Sequence, residues 1–197
     1  MTLRRGFKTE AESTSLEVRS DMGLLATAPL DPWDLAEYLA IPIMALTDLR
    51  PVEPDAVHHF CYGERTAFSA VTIFCGCQRL IVHNDHHSKR RQTSNLAHEL
   101  SHALLLHPPT PPLSEHGCRN FDAAIEEEAN WLAGSLLIPH EAAFLIARRG
   151  VALDEAADAY GVSPKMMQFR LNVTGALMFQ QRLRRRARGI QAIKRVR

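Results

Sequence analysis

The pentapeptide H-E-L-S-H, residues 98–102, constrains this chain more than any other feature. A helix advances about 100° per residue, so His98 and His102 stand one turn apart on one face. Ala97, Leu100, Ala103 and Leu104 make the surrounding helix mostly apolar, which puts the imidazoles in or beside a core. Buried imidazoles need partners. A solvated face with two ordinary histidines is the bland alternative, and the apolar neighbours argue against it. Two imidazoles so spaced can grip one tetrahedral Zn²⁺ from the same side. Glu99 points to the adjacent flank. There it can reach a water on the metal without ligating, accept its proton and pass it to a leaving amine. A catalytic zinc also needs a third protein ligand, so a second element must pack against this helix.

That element is expected at I-E-E-E-A-N-W-L-A-G-S-L-L-I-P, residues 125–139. Ala129, Ala133 and Leu136 or Leu137 give it an apolar face with small residues that allow close approach. Glu126 lies one turn before Ala129 and Asn130 on that face, while Glu127 and Glu128 rotate away as solvated acids near a helix N-terminus. Glu126 is thus the expected third ligand, and Asn130 can hydrogen-bond a ligating histidine. Other carboxylates, His107 and His116 are fallback ligands.

The rest of the chain reads as short elements. Residues 5–22 carry Phe7, Ala11, Val18 and Met22 on one side of a helix. Asp31-Pro32 caps and opens a second helix, residues 43–46 are a short strand, and 51–55 are a loop. Residues 67–75 and 79–82 form a β-hairpin across Gly76. Asn84 or Ser88 can cap the metal helix, which runs from about Lys89 to Leu106 and stops at His107-Pro108-Pro109. The segment 108–120 is a proline-rich loop. Helices follow from Asn120 or Asp122 to about Leu137 and over 139–148, and Gly150 marks a boundary. The expected domains are a metallopeptidase domain, 1–148, and a small helical unit with a basic tail, 149–197. The fold class is α+β: mainly helical with a small sheet.

Bulk properties exclude little. The formal net charge is +1, so overall electrostatics do not by themselves indicate nucleic-acid binding, although residues 182–197 are strongly basic. The N-terminus lacks the apolar core of a signal peptide and no apolar run is long enough to span a bilayer, so a cytoplasmic location is expected. Cys61, Cys75, Cys77 and Cys118 are then reduced thiols, with Cys75 and Cys77 read as small buried residues.

Taken together, H-E-L-S-H at 98–102 and E-E-E-A-N-W-L-A-G-S-L-L-I-P at 126–139 resemble the ImmA/IrrE-type zinc metallopeptidases. The hairpin segments 68–74 and 79–84 and the early stretches 5–12 and 30–42 also fit, so the likeness covers most of residues 5–140. Trp131 and Gly134 depart from it, standing where phenylalanine and alanine are frequent. The resemblance implies an intracellular protease with a zincin-like core and one zinc held by His98, His102 and Glu126, with Glu99 as base. It implies a protein substrate, often a helix-turn-helix repressor whose cleavage induces genes after stress. That substrate would add a strand to the sheet edge of the hairpin. His116 is a candidate oxyanion stabiliser.

Residues 153–171 have a helix-turn-helix rhythm, with Gly161 in the turn and Ser163-Pro164 opening the second helix. A DNA-binding reading would put Lys165, Gln168 and Arg170 in a major groove. A helical pair that packs on the protease or grips the repressor is favoured over it. The competing function is a DNA- or partner-binding regulator with a structural or vestigial metal site.

Overall fold

The computed structural model describes residues 3–64, 67–76, 78–108, 122–183 and 185. The architecture is a mainly helical α+β fold with one three-stranded sheet, as expected. Helix α1, Phe7–Asp21, buries Phe7, Ala11 and Val18 on one side. Helix α2, Pro32–Tyr38, starts where Asp31 accepts a 2.9 Å bond from the Trp33 amide, with Pro32 in the first turn. Ala40 then takes a left-handed φ of 53° and turns the chain into strand β1, Ile43–Ala45.

The stretch read as a loop at 51–55 instead runs into a helix, α3, Pro54–His58, extended by a π-helical turn over His59–Gly63. Pro54 pre-sets the backbone for a first turn. Val57 and Cys61 bury themselves against Leu46 in a small satellite core. Cys75, expected to be buried, is exposed at the hairpin end, and Cys77 lies outside the described residues.

Strands β2, Ala70–Cys75, and β3, Gln78–His83, form the expected hairpin, turning at Gly76 with φ 59°. Strand β3 is central, antiparallel to β2 and parallel to β1. Ile81 pairs with Ile43 on one side and Thr72 on the other. The outer edge of β2 therefore has no strand partner among the described residues.

Helix α4, Lys89–Leu104, packs along helix α5, Ala123–Leu137. Leu96 and Leu100 of α4 meet Leu132 and Leu136 of α5, together with Phe7, Ala11, Leu35 and Ile81. Each such leucine, fully withdrawn from water, contributes roughly 1.5–3 kcal/mol. Ser88 occupies the position before α4 but makes no side-chain cap bond there. Asn84 is no cap either. It ties the hairpin to the satellite core, donating to the Phe60 and Phe68 carbonyls.

Helices α6, His140–Arg149, α7, Leu153–Ala159, and α8, Pro164–Val173, complete the described fold. One core cluster joins Ala97 of α4, Ala133 and Leu137 of α5, Ile146 of α6, Ala157 of α7 and Met167 of α8. That core runs across the 148/149 division expected from sequence.

Two buried arginines tie the C-terminal end of α5 to its neighbours. Arg19 of α1 donates to the Leu136 carbonyl at 2.6 Å, and Arg170 of α8 donates to the Ile138 carbonyl at 2.9 Å. A helix end exposes unpaired carbonyls and partial negative charge, which cations satisfy. Glu12 receives Arg170 at 2.5 Å and the His140 amide at 2.9 Å. Burial holds Arg19 down to about 10. Arg170, expected from sequence as a nucleic-acid or partner contact, is instead fully buried, with its Nε bonded to Ile138 and its Nη2 to Glu12. The same guanidinium arm explains Gly134, where a Cβ would lie 3.1 Å from the Arg170 Cδ. Trp131 sits between Lys8 of α1, whose ammonium lies 4.2 Å from its ring, and Phe169 of α8.

Candidate metal centre

Helix α4 places His98 and His102 on the face turned to α5, and α5 brings Glu126 opposite them. The N-cap is Asp122, whose side chain accepts from the Ala124 amide at 2.9 Å and whose carbonyl accepts from the Glu126 amide at 3.0 Å. Glu126 thus sits in the first turn of a capped helix. Ala129, fully buried, keeps the crossing close.

The three ligand atoms converge. His98 Nε2 and His102 Nε2 are 3.1 Å apart. Glu126 Oε2 lies 3.2 Å from His98 Nε2, and its Oε1 lies 3.7 Å from His102 Nε2. A tetrahedral ion with bonds of about 2.0–2.1 Å has ligands about 3.3–3.4 Å apart, so these separations bracket the required edge. His98, His102 and Glu126 form the one His/Cys/Asp/Glu group of this kind among the described residues.

Hydrogen bonding orients both rings. His98 Nδ1 lies 3.1 Å from Asn130 Oδ1, the role expected for Asn130. An amide oxygen can only accept, so Nδ1 carries the proton and Nε2 turns a lone pair to the cluster. On the other histidine, His102 Nδ1 lies 2.9 Å from His107 Nδ1. Two ring nitrogens and a carboxylate facing one another at about 3 Å form a donor set that a cation among them would satisfy. The donor set fits a divalent ion of zinc's preferences.

The charge states follow the same logic. Burial lowers the His98 pKa, but the Glu126 hydrogen bond and the charges of Glu99 and Glu126 outweigh it, so the net shift is upward. His102 is pushed down to about 4 by burial and by the neighbouring His98 charge. The pair accommodates one positive charge, not two.

Glu99 stands apart from the three ligands. Its Oε2 accepts a 2.5 Å bond from the Thr72 hydroxyl of β2. Burial raises its pKa, with the Thr72 bond and His98 opposing and Glu126 reinforcing. The result is a carboxylate in a low-dielectric flank with an elevated proton affinity, suited to a general base. Thr72 escaped the sequence reading. The one signal was a lone hydroxyl inside the apolar run A-V-T-I-F-C of a strand leading to the metal helix.

Two further expectations change. Glu128 is not a solvated acid: it lies 2.8 Å from Arg4 Nε and 3.7 Å from His107 Nε2. His107, a fallback ligand, stands behind His102 rather than in the cluster. His116 lies outside the described residues, as does most of the basic tail. Lys165 is exposed and Gln168 partly buried on α8.

Comparison with known proteins agrees with this geometry. The model of the peptidase M78 family, described as the IrrE N-terminal-like domain, matches residues 36–172. A search of the curated proteins returns no match. The matched span takes in the hairpin, both ligand-bearing helices and the helical pair after Gly150, well over half of the chain, and on that ground the chain belongs to the M78 peptidase family.

Proposed function

We propose that this protein is an intracellular, zinc-dependent endopeptidase acting on a protein substrate, a helix-turn-helix repressor whose removal switches on stress or mobile-element genes. The observation that carries the chemistry is the division of labour at α4. Three groups converge on one point, while Glu99, one residue from a ligand, is held out of the cluster by Thr72. A site that only braces structure needs no base beside it and closes its fourth position with protein.

Zinc held by His98, His102 and Glu126 would supply Lewis acidity toward a peptide carbonyl and lower the pKa of a bound water. Glu99 takes the proton of the attacking water and hands it to the departing amine. Thr72 fixes the carboxylate for that transfer. The edge of β2 that has no strand partner among the described residues is suited to an extended peptide adding as a further strand, with backbone hydrogen bonds giving affinity and side-chain pockets giving selectivity. Thr72 lies on that same strand, so substrate and base would be aligned by one element. No described helix is long and apolar enough to cross a membrane, which suits a cytoplasmic substrate. A DNA-binding role for residues 150–197 has less support, since Arg170 is buried and paired.

The test is Glu99→Gln. It should bind zinc as the unaltered protein does and lose cleavage of the repressor by roughly 10²–10⁴-fold. Cleavage surviving that change would remove the assignment. An adjacent gene encoding a small helix-turn-helix protein would supply the substrate, incubated with and without chelator.

A further inference from the structure

The turn that ends α4 does more than stop a helix. Leu106 takes a left-handed φ of 52° although it is a leucine, and the residue is 80% exposed. A non-glycine residue there costs roughly 1–2 kcal/mol, so something else must hold the turn. The reversal lets the His107 amide bond the His102 carbonyl at 3.0 Å and swings the His107 ring behind the His102 ring, with centroids 4.9 Å apart. The two Nδ1 atoms then lie 2.9 Å apart. Ring nitrogens that close share one proton: one donates and the other accepts.

The far side of His107 decides which. Its Nε2 faces Glu128 Oε2 at 3.7 Å. Glu128 is held from behind by Arg4 Nε at 2.8 Å, and Arg4 also bonds Glu10 at 2.6 Å. A carboxylate opposite Nε2 favours the proton on Nε2 and leaves Nδ1 of His107 as an acceptor. His102 must then donate from its own Nδ1, which frees its Nε2 to face Glu126 and His98. The chain Arg4–Glu128–His107 thereby does for His102 what Asn130 does for His98.

We propose that His107, set by Glu128, is a positioning residue that selects the ligating tautomer and ring orientation of His102, an inference that rests on the metal-centre reading above. The orienting partners of metal-bound histidines are worth roughly 10–100-fold in metal affinity.

Zinc affinity, measured by chelator competition on the full chain, tests this together with the nitrogen chemical shifts of the histidine rings in metal-free protein at pH 8. The unaltered protein should show His102 with its proton on Nδ1. His107→Leu should weaken zinc binding about 10–100-fold and shift His102 toward the Nε2-protonated form. His107→Asn, which offers an amide oxygen near the lost Nδ1, should recover most of both. Should His107→Leu fail to fold, Glu128→Gln carries the test, with the same tautomer shift and a smaller loss of affinity. Unchanged affinity and tautomer in these variants would overturn the proposal. So would a zinc-induced ligation shift on His107 itself, which would make it a fourth ligand. Failure of the unaltered protein to bind zinc would instead sink the metal centre as a whole.

Discussion

At the scale of single residues, the site depends on hydrogen bonds too specific for a helical wheel to contain. Thr72 is the plainest case. Its hydroxyl donates to a carboxylate that burial drives toward protonation. Hydrogen bonds to charged groups contribute about 1.5–3 kcal/mol, so Thr72→Val should slow turnover roughly 10–100-fold with zinc content unchanged, and Thr72→Ser should restore it. Steady-state cleavage beside metal analysis checks both. Arg170 is the opposite case, a residue whose sequence context suggested a surface role and whose environment forbids one. Removing a partner from a fully buried ion pair costs about 3–5 kcal/mol; Glu12 is partly exposed, so Arg170→Ala should cost less than that and still lower the denaturation midpoint measurably.

At the scale of elements, the geometry of the candidate site is an outcome of helix ends. Asp122 caps α5 one turn ahead of Glu126. Asp122→Ala should cost about 0.5–2 kcal/mol, and because fraying starts at the ligand's own turn, zinc affinity should fall with it. Thermal unfolding and chelator competition on the same sample would reveal the link; a stability loss with affinity untouched would refute it. The other end of α5 is fixed by Arg19 and Arg170. Gly134→Ala should gain about 1 kcal/mol in helix propensity. The contact at 3.1 Å with a pinned side chain costs about 1–3 kcal/mol. The expected net effect is a loss of about 1 kcal/mol in urea unfolding.

At the scale of the whole molecule, the metal centre is the point where folding, pH and ligand meet. Metal-free, the raised His98 pKa means its protonated form is stabilised by folding. That contribution is complete below the unfolded value of 6.5 and is lost as pH rises through the higher folded value. Zinc must displace that proton. Its apparent affinity should therefore fall about tenfold per pH unit below the His98 folded pKa, with one proton released, until His102 begins to protonate near its value of about 4. Calorimetry in buffers of different ionisation enthalpy counts the protons, and two released at pH 6 would contradict the shared charge. A metal that prefers the folded chain stabilises it, so saturating zinc should raise the melting temperature and chelator should reverse the gain.

What the residues alone settled was local and periodic. The i, i+4 histidines, the flanking Glu99 and the apolar face that selected Glu126 over its two neighbours follow from a helix's fixed pitch, and the Asp31 cap from the unpaired amides of a first turn; the cap of α5, open between Asn120 and Asp122 in the sequence, is Asp122 in the structure. What the fold decided was long-range. Which hydroxyl reaches Glu99, which ring backs His102, and whether Arg170 meets solvent or the end of α5 depend on pairs separated by 27 residues for Thr72 and Glu99 and by 158 for Arg170 and Glu12. Neighbouring residues set a side chain's direction. What it meets is set by how whole elements pack, and packing minimises exposed apolar area over the entire chain rather than within any window of it.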